Sequence, residues 1–438
     1  MAELSSLASR LNLGCACQFL DRNKLCSELS REPALAGLCP DLQHSHPHLF
    51  SASSVFISPT QLAQMAALVA AVETVSQQAG WLAATASNAQ GASGGLLGFD
   101  FHLDDTGVQL IEINTNPGGA LLNVALARAQ RACCAETEGL LTQARHWPQA
   151  EAAILDVFRQ EWRDAGRAGE PTRIAIVDSD PASQYLYPEF LLYRQLFTQA
   201  GWQAVIADPA ELVWREGVLW HAGERVDFVY NRLTDFRLEE PAHAALHSAH
   251  EAGAIVLSPH PQAHARYANK RNLALLSDPG FLATLALPEA TRQTLLTSVP
   301  PTELVTPAQA ERLWAARKQL FFKPLAGFGS RAAYRGDKLT RRVWSEILHG
   351  KYVAQRIAPP SERLVPQEAG NTLPSPPLAP AGGGINQPRP ATTSLKLDIR
   401  AYAYAGRILL LAARLYSGQT TNFRSPGGGF APVWVLPA

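Results

Sequence analysis

The segment that most restricts this chain is a pair of short apolar runs, residues 97–103 and 108–114, separated by Asp104-Asp105-Thr106-Gly107 and closed by Asn116-Pro117-Gly118-Gly119. The intervening residues tolerate backbone angles that the flanking β-formers do not, so the segment predicts a β-hairpin. The Asn-Pro-Gly-Gly stop predicts a helix from about residue 120. Polar residues interrupt the apolar pattern. Glu112 and Asn114 lie two apart and share one face of their strand, and Asp100 on the partner strand is placed to join them. Two carboxylates and an amide oxygen are hard donors of the kind Mg²⁺ takes while keeping waters and substrate phosphates. The same three residues also read as the solvated face of an amphipathic hairpin.

Composition narrows the class. The 438 residues are 47% hydrophobic and 17% charged, enough for a sizeable core of roughly two or three domains and unlike a disordered chain. Lys plus Arg and Asp plus Glu are each 38, and this zero net charge argues against a nucleic-acid partner. Apolar stretches such as residues 66–72 fall short of the about 20 residues a membrane helix needs, and no basic-then-apolar leader opens the chain. The six cysteines, with Cys133 and Cys134 adjacent, do not resemble a disulfide framework. Together these features lead us to expect a soluble cytoplasmic protein without a membrane partner. Only seven lysines occur, so a Lys beside a glycine-rich loop draws attention.

Along the chain, the first fifty residues read as helical, ending in a loop at 39–48. Ser58, Pro59 and Gln61 form a capping box ahead of a helix through residue 76. A second unit alternates strands at 173–178, 203–207, 225–232 and 254–257 with a helix at 185–200, predicting a small parallel layer. A third carries strands at 320–323, 352–357, 395–404 and 407–415. Between Pro359 and Pro390 lie nine prolines and Gly382-Gly383-Gly384, which predict a long mobile loop. The expected class is mixed α/β (α+β), with units at 1–168, 169–264 and 265–438.

Two further clusters carry chemistry. Phe321-Phe322-Lys323-Pro324 reads as a strand ending on a cation, followed at once by Gly327, Gly329 and Ser330. Glycine N–H groups approach an anion closely and Lys adds a point charge, a combination suited to phosphates, although an ordinary turn fits the segment equally. It is not a Walker A loop, and residues 332–336 read as a short strand, not the helix a dinucleotide fingerprint needs. Near the end, Lys396, Asp398, Arg400 and Tyr402 alternate along one strand, Arg414 ends the next, and Asn422 precedes Gly427-Gly428-Gly429. His44, His46 and His48, and the unpaired spacing of Cys15, Cys17, Cys26 and Cys39, give little support for a metal site.

These clusters together resemble the ATP-grasp superfamily of carboxylate–amine ligases, over roughly three-fifths of the chain. The resemblance implies that Lys323, Gly327, Gly329 and Ser330 cover ATP phosphates and that Gln355, Arg356 and Ile357 form the hinge against adenine. It also implies that Asn269-Lys270 opens the ATP-binding unit. Lys396 and Asp398 would line the nucleotide, Arg400 and Arg414 would approach the γ-phosphate, and Asp100, Glu112 and Asn114 would hold Mg²⁺. The order is unusual, because the Glu-x-Asn strand stands about 280 residues before the Asp-x-Arg strand. That order resembles circularly permuted ATP-grasp proteins and, more distantly, glutathionylspermidine synthase, with residues 169–264 as the preceding α/β layer.

The implied reaction is ATP- and Mg²⁺-dependent joining of a small-molecule acid to an amine, possible substrates being amino acids or peptides, through an acyl phosphate. Gly118 and Gly119 at a helix start could offer free N–H groups to a substrate carboxylate. Asn116, Arg232 and Asn422 are further substrate-side candidates; Arg232 stands at the C-terminal end of a strand, where open α/β layers bind ligands. Two other functions stay open: a non-catalytic ATP-binding or regulatory protein, and a nicotinamide-dependent oxidoreductase using residues 173–232. The sequence identifies neither substrate nor oligomeric state.

Overall fold

The hairpin forms where the turn residues require it, with strands Leu97–Asp104 and Gly107–Asn114 antiparallel and Gly107 N–H donating to Asp104 Oδ1 at 2.9 Å. The computed structural model describes residues 7–15, 19–31, 35, 45–87, 93–104, 107–130, 149–327, 332–367 and 391–437. The pairing contains a bulge. Asp100 lies opposite Glu112 but Phe101 opposite Leu110, so Ile111 is the extra residue. A bulge advances the side-chain phase by one. Val108, Leu110 and Ile113 therefore enter the core while Glu112 and Asn114 turn together to the other face.

Around this hairpin the ends of the chain form one sheet. Its strand order is Val55–Ile57, Gly429–Val435, Arg407–Tyr416, Thr392–Tyr404, Leu97–Asp104, Gly107–Asn114, with Ser361–Pro366 also paired to Thr392–Tyr404. Only the Val55–Ile57 edge is parallel; the other pairs are antiparallel. One face packs on the helix Pro59–Ser76, through Met65, Leu68, Val69 and Val72 against Phe99, Phe101, Leu397 and Ile399. The predicted capping box starts that helix, with Gln61 N–H on Ser58 Oγ and Ser58 N–H on Gln61 Oε1.

On the other face Tyr402, Tyr404 and Ala412 join a core with Phe158, Tyr193 and Phe228. That core belongs to the parallel layer, ordered Val256–Ser258, Phe228–Asn231, Arg173–Val177, Gln203–Ala207. A second small sheet, Thr302–Leu304, Tyr352–Arg356, Leu320–Pro324, Tyr334–Arg335, is antiparallel and has its own core around Phe322 and Trp344.

Several expectations change. The strand expected at 225–232 is shorter, Phe228–Asn231. Glu224–Arg225 instead ends a three-stranded meander with Leu212–Arg215 and Val218–His221. Its two-residue turns are Glu216-Gly217 and Ala222-Gly223, all with positive φ, as tight hairpins require. Within the segment expected to be a mobile loop at 359–390, Ser361–Pro366 forms an edge strand. An edge tolerates proline because one row of its backbone groups faces no neighbour; residues 368–390 lie outside the described ones. Cys26 is disulfide-bonded, where no paired spacing announced it. His44 lies outside the described residues, and among those described no group of three or more His, Cys, Asp or Glu is placed to hold a metal. No described helix is long and apolar enough to cross a membrane.

The edge strand anchors the N-terminal helix Leu7–Gly14. Arg363 is fully buried and donates to the carbonyls of Ser54 (2.7 Å), Asn12 (2.9 Å) and Leu11 (3.3 Å), closing the helix's C-terminal end. Charged donors on orphan carbonyls are favoured there. Replacing Arg363 with Met removes the donor from the Ser54 and Asn12 carbonyls, and urea unfolding should show a loss of about 3 kcal/mol. A loss below about 0.5 kcal/mol would remove Arg363 from this anchoring role.

Candidate functional site

The strand register brings distant charges into contact. Arg400 pairs across the ladder with Asp100, and Asp398 with Arg414. Arg400 donates from Nε and Nη2 to the two Asp100 oxygens, both at 2.7 Å, a bidentate fork. Arg414 Nη2 reaches Asp100 Oδ2 at 2.8 Å while its Nε donates to Asp398 Oδ1 at 2.7 Å. Thr421 Oγ1 donates to the other Asp398 oxygen, tying the loop after Tyr416 to the network. Asp100 and Asp398 are 2% and 3% exposed, so these ions face little water. Burial by itself would raise the Asp100 pKa, but Arg400 and Arg414 hold its carboxyl well below the usual range.

Beside this network the bulge serves a second purpose. Lys323 Nζ donates to the carbonyl of the extra residue Ile111 and to Gln355 Oε1, both at 2.8 Å. Its hydrogen-bond partners are neutral and the side chain is buried, which pulls the ammonium down to about 8, with Glu112 opposing the effect and Lys270 adding to it. Lys270 Nζ donates to the Gly327 carbonyl at 2.9 Å and stands 3.7 Å from Glu112 Oε2. Asn114 Nδ2 donates to Asp100 Oδ2 at 3.1 Å and Glu112 Oε1 at 3.3 Å. Lys270, Lys323, Gly327, Glu112, Asp398 and Arg414 line one cavity between the seven-stranded sheet and the small sheet that carries Lys323.

Not every sequence candidate joins this cavity on the same terms. Gln355, Arg356 and Ile357 line it, but the amides of Arg356 and Ile357 donate to Pro301 O and Gln319 O. Gly329 and Ser330 lie outside the described residues. Lys396 donates to the Gly418 carbonyl, and Asn422 is spent on its own loop, donating to Ser417 O and Thr420 O and accepting from Arg424 N–H. Asp100, expected as a metal ligand, has both oxygens engaged by two guanidinium groups. Glu112 and the oxygen of Asn114 remain as hard donors, and they suit a Mg²⁺ that takes one carboxylate and completes its shell with water and phosphate.

The substrate-side candidates change more. Of the N–H groups expected to be free at Gly118 and Gly119, that of Gly119 is occupied. Glu189, fully buried on the helix Tyr187–Gln199, accepts from Gly119 N–H at 2.7 Å and Leu121 N–H at 3.2 Å. Arg232 supplies the countercharge: it is buried, its Nη1 donates to Tyr230 Oη at 3.0 Å, and Glu189 and Tyr230 favour its charged form. A Cβ at Gly118 would meet Leu186 Cδ1 at 2.3 Å and require that side chain to shift, and the Gly118 carbonyl accepts from Tyr402 Oη at 2.7 Å. Asn116 Nδ2 donates to Leu233 O at 2.9 Å. These residues join the hairpin end to the parallel layer, apart from the Lys323 cavity. Sequence reasoning also left His102 and Tyr416 unassigned, though both line that cavity. Alternation from Asp100 places His102 on the same strand face, a signal the sequence did contain.

No protein-family model matches the chain, and no curated protein matches it in sequence. Among solved structures it is similar to a glutathione synthetase-like effector from Globodera pallida in its apo form, with a TM-score of 0.52, 10% identity, and 97% of this chain and 99% of that one covered. A putative gamma-glutamylcysteine synthetase from Methylobacillus flagellatus KT aligns at a TM-score of 0.44 and 11% identity over 84% and 86% of the two chains. The ATP-grasp ligase PsnB, complexed with minimal precursor, aligns at a TM-score of 0.31 and 12% identity over 61% and 90%. The fold is of the ATP-grasp type, a mixed α/β architecture with a curled mixed sheet.

The ion network yields a stability test. Asp100→Asn removes the charge that Arg400 and Arg414 share among the described residues and leaves two buried guanidinium groups under-compensated, for which about 3–5 kcal/mol is expected in urea unfolding. A change within about 0.5 kcal/mol would mean that solvent or other groups neutralise both arginines.

Proposed function

We propose that this protein is an ATP- and Mg²⁺-dependent ligase that joins a carboxylic acid to an amine. The observation that carries the reading is the convergence of Lys270, Lys323 and Arg414 with Glu112 in one cavity between the seven-stranded sheet and the Lys323 sheet of an ATP-grasp-type fold. We further propose that the fold is circularly permuted, with residues 1–168 supplying the hairpin strands that complete the 265–438 unit and residues 169–264 forming the layer between them.

A carboxylate is a poor electrophile at neutral pH. In the proposed reaction its oxygen attacks the γ-phosphorus, the bond to the β-γ bridging oxygen breaks, and ADP leaves with that electron pair. The amine then attacks the acyl carbon, phosphate departs and the amine nitrogen loses a proton. Lys323 and Lys270 bind phosphate oxygens, and Arg414, which lines the cavity, holds the charge on the transferring group; Arg400, expected to share that role, is not among the lining residues and is forked on Asp100. Glu112 and Asn114 would hold Mg²⁺, which when bound neutralises phosphate charge. The engagement of Asp100 by two arginines also suits a second reading, a protein that binds ATP without turning it over. ADP release that requires both an acid and hydroxylamine, with hydroxamate formed, supports the ligase; tight ATP binding with no ADP from any acid supports the binder.

Lys323 gives the nucleotide a pH dependence. Anionic phosphates prefer the protonated ammonium, so affinity should be full below about pH 8 and fall as pH rises through it, with weakening approaching tenfold per pH unit until the bound form also loses its proton. Titration calorimetry at pH 7 and pH 9 measures this. Lys323→Arg, which stays charged, should flatten the profile; an unchanged slope in that variant would place the titrating group elsewhere.

A further inference from the structure

One imidazole of the cavity touches the hinge and stands within electrostatic reach of the phosphate-side cations Lys323 and Arg414. Lys323, Lys270, Gly327 and Glu112 give the cavity its charged lining, and the hinge that follows Tyr352–Arg356 lines it as well. His102 belongs to the strand that carries Asp100, one same-face position further along, and its Nδ1 contacts the carbonyl of Ala358 in the hinge at 2.7 Å. A carbonyl oxygen has no proton to give, so Nδ1 carries the hydrogen, and in the neutral ring Nε2 is a bare acceptor. Burial favours that neutral ring, holding His102 below the usual histidine range. Tyr416 Oη lies 3.5 Å from Nε2, at the long limit for a hydrogen bond, and the Tyr416 hydroxyl stays protonated because burial raises its pKa. Both side chains line the cavity.

On the proposal that the cavity takes ATP, with phosphates at Lys323 and base at the hinge, the group between phosphates and base is the ribose. We infer that His102 and Tyr416 read its hydroxyls, His102 Nε2 accepting a hydrogen bond from one and Tyr416 Oη donating to or accepting from its neighbour. His102 then determines specificity for ribonucleotides, a role distinct from the phosphate contacts of Lys323. The Ala358 bond orients the ring for it.

The test compares the affinities of ATP, 2′-deoxy-ATP and 3′-deoxy-ATP, each with Mg²⁺, for the wild type, His102→Ala, His102→Gln and Tyr416→Phe. The wild type should bind at least one deoxynucleotide about five- to tenfold more weakly than ATP, the range set by one net hydrogen bond. His102→Ala should weaken ATP by a similar factor and erase that discrimination. His102→Gln, which keeps an acceptor, should restore part of it, and Tyr416→Phe should reduce discrimination at the other hydroxyl. Should His102→Ala lose its fold, the Gln and Phe variants carry the same comparison. ATP binding with the same ratios in all variants, or a wild type that does not discriminate, overturns the ribose assignment while leaving the nucleotide site standing. No binding of ATP to the wild type overturns the nucleotide reading and this assignment with it.

Discussion

Asp100 is the charge around which the site is organised. It is 2% exposed, forked by Arg400 and touched by Arg414, which in turn grips Asp398. Isolated, any of these ions would be costly to bury; together they form a closed set in which each charge has an opposite neighbour. Its Asp100–Arg400 pair alone spans 300 positions of sequence, and the set joins the Leu97–Asp104 strand to Thr392–Tyr404 and Arg407–Tyr416. It therefore holds the two ends of the chain in the register that faces Glu112 toward Lys323.

A bulge completes the arrangement. Strict alternation would put Leu110 and Glu112 on one face, sending either an apolar residue to the cavity or a carboxylate to the core. One extra residue, Ile111, resolves the conflict and leaves a carbonyl for Lys323 Nζ. The lysine is thus held by neutral acceptors instead of being consumed by an acid, which keeps its charge available to an anion. The opposite choice is made at the neighbouring helix start, where Glu189 occupies the Gly119 and Leu121 N–H groups and Arg232 balances it. An anion site there is filled by the protein's own carboxylate, so the turn after the hairpin is a structural joint.

Local features were legible in the sequence because local chemistry decides them. The Asp104–Gly107 turn, the Ser58 capping box and the alternating Lys396, Asp398, Arg400 and Tyr402 strand all depend on neighbours within a few residues. The phase break between Leu110 and Ile113 was also written there, although its meaning required the partner strand. Register between distant segments was not legible: no local pattern tells Asp100 that it lies opposite Arg400, or Glu189 that it reaches Gly119. Arg363 was hidden for a related reason. The surrounding prolines point to a loop, and only the adjacent Thr392–Tyr404 strand makes Ser361–Pro366 an edge. His102 carried a polar signal in the right phase, but its function depends on a hinge carbonyl 256 positions away.

The central claim is that Glu112 and Lys323 form the metal and phosphate sides of one nucleotide site. Calorimetric titration of ATP with and without Mg²⁺, into the wild type and Glu112→Gln, tests it most directly. The account predicts that Mg²⁺ strengthens ATP binding to the wild type by about an order of magnitude and that Glu112→Gln loses this gain while retaining metal-free binding. An equal Mg²⁺ gain in both proteins would contradict it.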